Sequence, residues 1–310
     1  MLWEFIMNIL KWIAGKVTHI FCLFGISSSV LFAYPNLDLS WVESWGYQLQ
    51  DPDVEELRSS PYDLLVIDYS KDGADETAFT KQDIETARNQ GSKIIFSYLS
   101  IGEVEDYRFY WKDNWEVGNP SFIGDENPDW PGNYKAKYWE KTWWKLVIRP
   151  YLNKIINASF NGVYLDIVDA YWYWGEQDGN YKEHAIQMFQ LIKKIKNYAN
   201  KKTGGHFAVC PQNGLSILDD LPAKQKKQYL KLIDCVGVES VFYNVWSQED
   251  QAYRLELLGE VNQANKPIFS VEYIKPNQHL EYENQWLTHP YHFIGYPAAP
   301  DAALDELIEL

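Results

Sequence analysis

From about residue 41 onward, short runs rich in Val, Ile, Leu, Tyr and Phe alternate with longer amphipathic or polar stretches, the rhythm of a βαβα chain with a parallel sheet. Eight runs predict strands: Trp45 to Leu49, Leu64 to Tyr69, Lys93 to Ser100, Gly162 to Val168, His206 to Pro211, Cys235 to Phe242, Pro267 to Tyr273 and Tyr291 to Gly295. The stretches between them predict helices over 51–59, 80–90, 136–157, 180–203, 223–232, 247–264 and 277–288, with a last one at 302–310. Eight such pairs in about 260 residues fit one (β/α)8 TIM barrel, an α/β fold. Asp51-Pro52 and Thr80 suit helix N-caps, and Asn89-Gln90-Gly91 ends the second helix where a left-handed residue is wanted. Gly91, Gly162, Gly205 and Pro267 each stand at the return from helix to strand.

Two stretches break this rhythm. Between Tyr107 and Tyr138 the chain crowds Trp111, Trp115, Trp130, Pro120, Pro128 and Pro131 into one long connection after the third strand. A connection of that length in a barrel is usually functional. A second aromatic loop, Tyr171-Trp172-Tyr173-Trp174, is expected after the fourth strand. Both would emerge at the C-terminal face of the barrel, where ligands bind.

The 14 Trp, 22 Tyr and 14 Phe make this chain aromatic-rich, which suits sugar stacking and core filling alike. The formal charge of −15, with no basic block, speaks against nucleic acid as a partner and leaves either simple solubility or a cationic ligand as its meaning. At the N-terminus Lys11 and Lys16 precede a mostly apolar stretch from Val17 to Ala33, interrupted by Ser27-Ser28-Ser29 and followed by Tyr34-Pro35. This predicts a signal peptide over 1–33, with an uncleaved N-terminal anchor as the alternative, a barrel domain over 34–310, a secreted or periplasmic protein, and no membrane partner after cleavage. Nothing in the sequence indicates an oligomeric state. Cys210 and Cys235 fall in strand-like runs and read as buried thiols. No cofactor or metal is expected, because the histidines are scattered and neither a Gly-rich phosphate loop nor a Gly-x-Ser-x-Gly elbow occurs.

Chemistry is suggested by the residues that end the strands. Asp68, Glu103, Asp166, Asp169, Asn213, Glu239 and Glu272 all fall at or just beyond a predicted strand terminus, so a barrel brings them to one rim. A carboxylate beside apolar strand residues is costly unless paired or functional. Two acids facing across a cleft are what glycosidic cleavage needs, one giving a proton to the leaving oxygen and the other attacking or activating water. Asp166 and Glu239 are the expected catalytic pair. Asp68, Glu103, Asp169, Asn213 and Glu272 are the expected polar substrate contacts, with Trp172 and Trp174 as sugar platforms.

Four segments carry a family resemblance: Tyr98-Leu99-Ser100-Ile101-Gly102-Glu103-Val104-Glu105-Asp106-Tyr107-Arg108, Gly162-Val163-Tyr164-Leu165-Asp166-Ile167-Val168-Asp169-Ala170-Tyr171, Val238-Glu239-Ser240-Val241-Phe242 and Val271-Glu272-Tyr273. Together, and in this order, they resemble glycoside hydrolase family 114. The resemblance implies a barrel that hydrolyses α-1,4-linked galactosamine polymers, with Asp166 of its Asp-x-Val-Asp motif and Glu239 as the two acids. A partly deacetylated galactosamine polymer is cationic, which agrees with the acidic charge. Two other readings stay open: a barrel that binds carbohydrate without cleaving it, and a nucleotide or tRNA enzyme, against which the charge and the export signal both speak.

Overall fold

A computed structural model describes residues 37–308. The expected signal peptide over 1–33 lies outside the described residues. Eight parallel strands make the barrel wall. β1 (Trp45–Gln48), β2 (Leu64–Ile67), β3 (Ile94–Ser100), β7 (Gly162–Asp166) and β8 (Ala208–Pro211) pair in that order, and β9 (Val236–Glu239), β10 (Ile268–Tyr273) and β11 (Phe293–Ala298) form the remaining arc. The arcs join where Gln212 bridges Gly237 in parallel and the Asn213 N–H donates to the Gly237 carbonyl over 2.9 Å. At the other seam the Trp45 indole N–H donates to the Ile294 carbonyl over 2.9 Å.

Aromatic rings, rather than only branched aliphatics, fill the barrel. The fully buried Trp45 lies 5.4 to 6.1 Å, centroid to centroid, from Tyr47, Tyr164, Phe269 and Tyr296, which come from four different strands. Gly237 makes this packing feasible, since a Cβ there would fall 1.9 Å from the Tyr164 hydroxyl oxygen. A share of the aromatic excess is therefore core, not sugar surface.

The helical layer follows the hydrophobic pattern closely. α1 (Val54–Ser59) and α2 (Lys81–Ala87) lead into α3 (Arg149–Asn157), which continues a helical turn at Lys141–Trp143 and a π turn at Trp144–Ile148. α4 (Ala170–Asp178), α5 (Tyr181–Thr203), α6 (Ile217–Asp220), α7 (Ala223–Leu232), α8 (Gln248–Gln263) and α9 (His279–Thr288) complete it. In α5 the buried Ala185, Met188, Phe189, Ile192, Ile195 and Ala199 recur at three- and four-residue steps, giving a stripe that packs on the sheet. Gly204 then ends the helix in the left-handed region, at φ 76°. Thr80 caps α2, as expected, and Asp83 closes a capping box with it.

Local expectations fail in four places. The first helix is capped by Asp53, whose Oδ1 accepts the N–H groups of Glu55 and Glu56 over 2.9 and 3.2 Å, and not by Asp51, which sits at φ 42°. The long connection after β3 contains a three-stranded antiparallel ribbon of β4 (Glu103–Glu105), β5 (Ile123–Glu126) and β6 (Asn133–Ala136). The aromatic run 171–174 is helical, within α4, because its side chains find tertiary partners on several sides: Tyr171 is buried, and the Trp174 indole N–H donates to the Ala136 carbonyl over 2.9 Å. No helix forms over 302–308. There Ala302 and Leu304 take positive φ, and the Leu304 carbonyl accepts the N–H groups of Leu49 and Gln50 over 2.7 and 3.0 Å. That carbonyl is thus engaged by the end of β1 instead of by a helical turn.

Candidate active site

Asp166 and Glu239 are the last residues of β7 and β9, with the end of β8 between them, and both are partly exposed. Each acid has a tyrosine from a neighbouring strand at a diagonal position. In the β3–β7 register Tyr98 lies opposite Tyr164, two residues before Asp166, and its hydroxyl donates to Asp166 Oδ2 over 2.7 Å. In the β9–β10 register Val271 lies opposite Glu239, and Tyr273, two residues further on, donates its hydroxyl to Glu239 Oε1. Residues two apart on a strand share a face, so both contacts follow from the parallel registers.

Asn213, just past β8, completes the Glu239 environment. Its amide Nδ2 donates to Glu239 Oε2 over 2.7 Å, and its Oδ1 accepts the Glu239 backbone N–H over 3.1 Å. Both carboxylate oxygens of Glu239 thus receive a donor. Arg254 of α8 holds the main chain behind it, donating to the carbonyls of Glu239 and Ser240 over 2.6 and 3.0 Å. Burial, together with the Glu239 charge, pushes the Asp166 carboxyl up to about 8, against the opposing pull of the Tyr98 bond.

The turn after β7 is shaped by close approach. Ile167 takes φ 56°, and its carbonyl presses on Gly102, where a Cβ would come within 2.2 Å of that oxygen. Beyond this turn a cleft of about 530 Å³ opens, lined by Lys135, Asp169, Trp172, Tyr173, Asn213, Glu239 and Arg254 among others. Its lining also includes Glu176 and Asp250, so four carboxylates face two cations. Both cations are engaged within the protein, Lys135 by Glu103 and Arg254 by main-chain carbonyls. The field in the cleft therefore favours a positively charged ligand.

Asp169, Asn213, Glu239 and Trp172 line this cleft; Asp166 is not part of its lining and lies behind it, near enough to Glu239 and Asp169 to feel their charges. Trp172 is 44% exposed, and its indole N–H reaches Glu176 over 3.2 Å. Trp174 points elsewhere, edge-on to Trp139 at 5.2 Å, and Tyr173 takes the wall position beside Trp172. Glu103 is buried and holds Lys135 and the Asn127 amide, the latter over 2.9 Å. Asp68 is buried as well and pairs with Arg108 over 2.5 Å, while Arg108 also binds Glu105 over 2.9 Å. Glu272 is fully buried and accepts three backbone N–H groups from residues 241–243. Those three acids organise protein around the rim. Tyr98, Tyr273, Lys135 and Arg254 are neighbours of the candidate site that the strand-end search passes over. The two tyrosines were findable from strand periodicity, whereas Arg254 lies mid-helix and carries no local signal.

Cys210 and Cys235 are buried free thiols. Among the described residues no group of three or more His, Cys, Asp or Glu side chains is arranged to hold a metal ion, and no helix is long and apolar enough to cross a membrane.

Comparison with known proteins gives the family and the fold. The sequence profile of glycoside-hydrolase family GH114 matches residues 34–293. An uncharacterised protein of Methanocaldococcus jannaschii is 39% identical over 274 residues, covering 85% of this chain and 77% of that protein. One from Thermotoga maritima is 34% identical over 276 residues, covering 86% and 83%. Among solved structures, the glycoside hydrolase domain of PelA from Pseudomonas aeruginosa aligns with a TM-score of 0.63 at 16% identity, over 86% of this chain and 98% of that one. Aspergillus fumigatus Ega3 in complex with galactosamine aligns with a TM-score of 0.61 at 15% identity, over 89% and 99%. At such identities the structural likenesses speak to fold alone.

Proposed function

The chain belongs to glycoside-hydrolase family GH114, and from that membership we propose that it cleaves α-1,4-linked galactosamine-containing polysaccharide with Asp166 and Glu239 as the reacting acids. The observation that carries this reading is the coupling of those two carboxyls across the end of β8, one favouring its proton and the other doubly hydrogen-bonded. Glycosidic cleavage needs that division of labour. One acid protonates the leaving glycosidic oxygen as the C1–O bond breaks, and the other carboxylate attacks C1 or deprotonates the water that does. Trp172 and Tyr173 supply ring faces for the sugar at the cleft wall.

The amino sugar is supported by the charge of the cleft, where the carboxylates of Asp169, Glu176 and Asp250 lie beside Glu239 and the cations are already engaged. The complex of Ega3 with galactosamine points to the same ligand chemistry. Lys11, Lys16 and the apolar stretch to Ala33 support export of the mature chain, to the periplasm or beyond.

The test is digestion of a partly deacetylated α-1,4-galactosamine polymer by the purified mature chain. Release of reducing ends, with oligosaccharide products sized by mass spectrometry, is the expected result. Retention of the polymer without cleavage would instead identify a carbohydrate-binding barrel. Proton NMR of the first product anomer reads retention or inversion directly.

A further inference from the structure

Strand β10 ends in two adjacent residues, Glu272 and Tyr273, that act on the Glu239 turn from opposite sides of the sheet. Consecutive strand residues face opposite ways. Tyr273 shares a face with Glu239 through the parallel register and donates to its Oε1. Glu272 faces the helical layer and is 0% exposed. Its Oε1 accepts the N–H groups of Val241 and Phe242 over 2.8 and 2.9 Å, and its Oε2 accepts that of Tyr243 over 3.0 Å. These are the three residues after Ser240, which turns the chain out of β9 at φ 51°. Three consecutive N–H groups converging on one carboxylate form an anion nest, closed here by a side chain of the protein itself. No oxygen of Glu272 reaches the cleft.

We propose that Glu272 and Tyr273 are positioning residues for Glu239: Glu272 fixes the turn that carries it, and Tyr273 fixes its carboxylate. This rests on the reading of Glu239 as one of the reacting acids. The two residues divide the task, because a carboxylate is located both by its backbone and by the donors on its oxygens. The other ionisable groups facing Glu239 are Asp166, Asp169 and Tyr164 on or after β7, Tyr47 on β1 and Arg254 on α8. Substituting Tyr273 or Glu272 leaves all of these in place.

The experiment compares wild type, Tyr273→Phe and Glu272→Gln, following the kcat/KM pH profile and, separately, the titration of the Glu239 carboxyl by carbon-13 NMR. The limb governed by Glu239 is the one that Glu239→Gln removes. Tyr273→Phe keeps the ring and removes only the donor, so the limb and the NMR midpoint move up by about half a pH unit or more. In Glu272→Gln the amide oxygen still serves Val241 and Phe242, but its NH2 opposes the Tyr243 N–H. Turnover is expected to fall about 10-fold with KM changed less than about twofold. An unmoved midpoint in Tyr273→Phe, or a raised KM with normal turnover in Glu272→Gln, overturns the assignment for that residue. A midpoint that moves in Tyr273→Phe while the wild type is inert on the polymer sinks the substrate reading and leaves the positioning of Glu239 by Tyr273 standing.

Discussion

The Tyr98 hydroxyl donates to Asp166 Oδ2 over 2.7 Å, a diagonal contact between neighbouring parallel strands. The bond fixes one oxygen of an acid whose partner, Glu239, is fixed in turn by Asn213 and Tyr273. If these two are the reacting acids, Asp166→Asn and Glu239→Gln each lower turnover by at least about 100-fold, the low end for losing a general acid or base, with circular dichroism unchanged. Near-normal turnover in either variant removes that residue from the mechanism.

The Asp166 carboxyl, pushed up to about 8, makes a pH prediction with a definite sign. A step that needs its proton is lost as pH rises through about 8, so kcat/KM shows an alkaline limb there. Tyr98→Phe removes a bond that favours the charged form, and the limb moves higher still. A limb that stays put in Tyr98→Phe argues against Asp166 as its source.

The same carboxyl destabilises the fold at alkaline pH. In the unfolded chain an Asp titrates at about 3.9, so between that value and about 8 the folded protein binds the extra proton and loses stability as pH rises. Asp166→Asn abolishes that penalty. The variant is expected to melt roughly 2–4 °C higher than wild type at pH 9, the size of about 1 kcal/mol in a domain this large. Equal melting temperatures at pH 5 and a lower one for the variant at pH 9 would contradict it.

Trp172 and Trp174 separate into two roles. Trp172 lines the cleft and is 44% exposed, so Trp172→Ala weakens oligosaccharide binding by about 1–3 kcal/mol while the melting temperature holds. Trp174 packs on Trp139 and donates to Ala136, so Trp174→Ala costs on the order of 2 kcal/mol of stability. Calorimetry of binding and of melting distinguishes the two, and reversed effects would exchange their roles.

Asp68 and Glu105 flank Arg108, and all three are buried. Asp68→Ala leaves Arg108 paired with Glu105 but strips its Nη1 of a charged acceptor, at a cost of about 1–3 kcal/mol. Asp68→Ala is therefore expected to shift the urea midpoint downward. A raised KM with an unchanged midpoint would instead return Asp68 to the list of sugar contacts.

The export reading makes one covalent prediction: the mature protein begins close to Tyr34. N-terminal sequencing of secreted material decides it, and an intact Met1 or Met7 counts against cleavage.

Periodicity along the chain was enough for the barrel, because an apolar run of four to seven residues and an amphipathic stretch each bury a face in only one way within such a layer architecture. Trp45 to Gln48 and Tyr181 to Thr203 were readable for that reason. The strand-end acids were readable too, since a barrel brings every strand terminus to one rim, and that alone placed Asp166 and Glu239 together. What each acid does there depended on partners distant in sequence. Asp68 and Glu272 sit at strand ends like Asp166, yet Arg108 and the N–H groups after Ser240 turn them inward to structural duty. The helix expected at 302–310 was undone by the same kind of distant partner, the N–H groups at the end of β1. A carboxylate's role is set by whatever donor or charge stands within about 3 Å of it, and that neighbour is chosen by strand register and loop closure, which no local pattern of residues encodes.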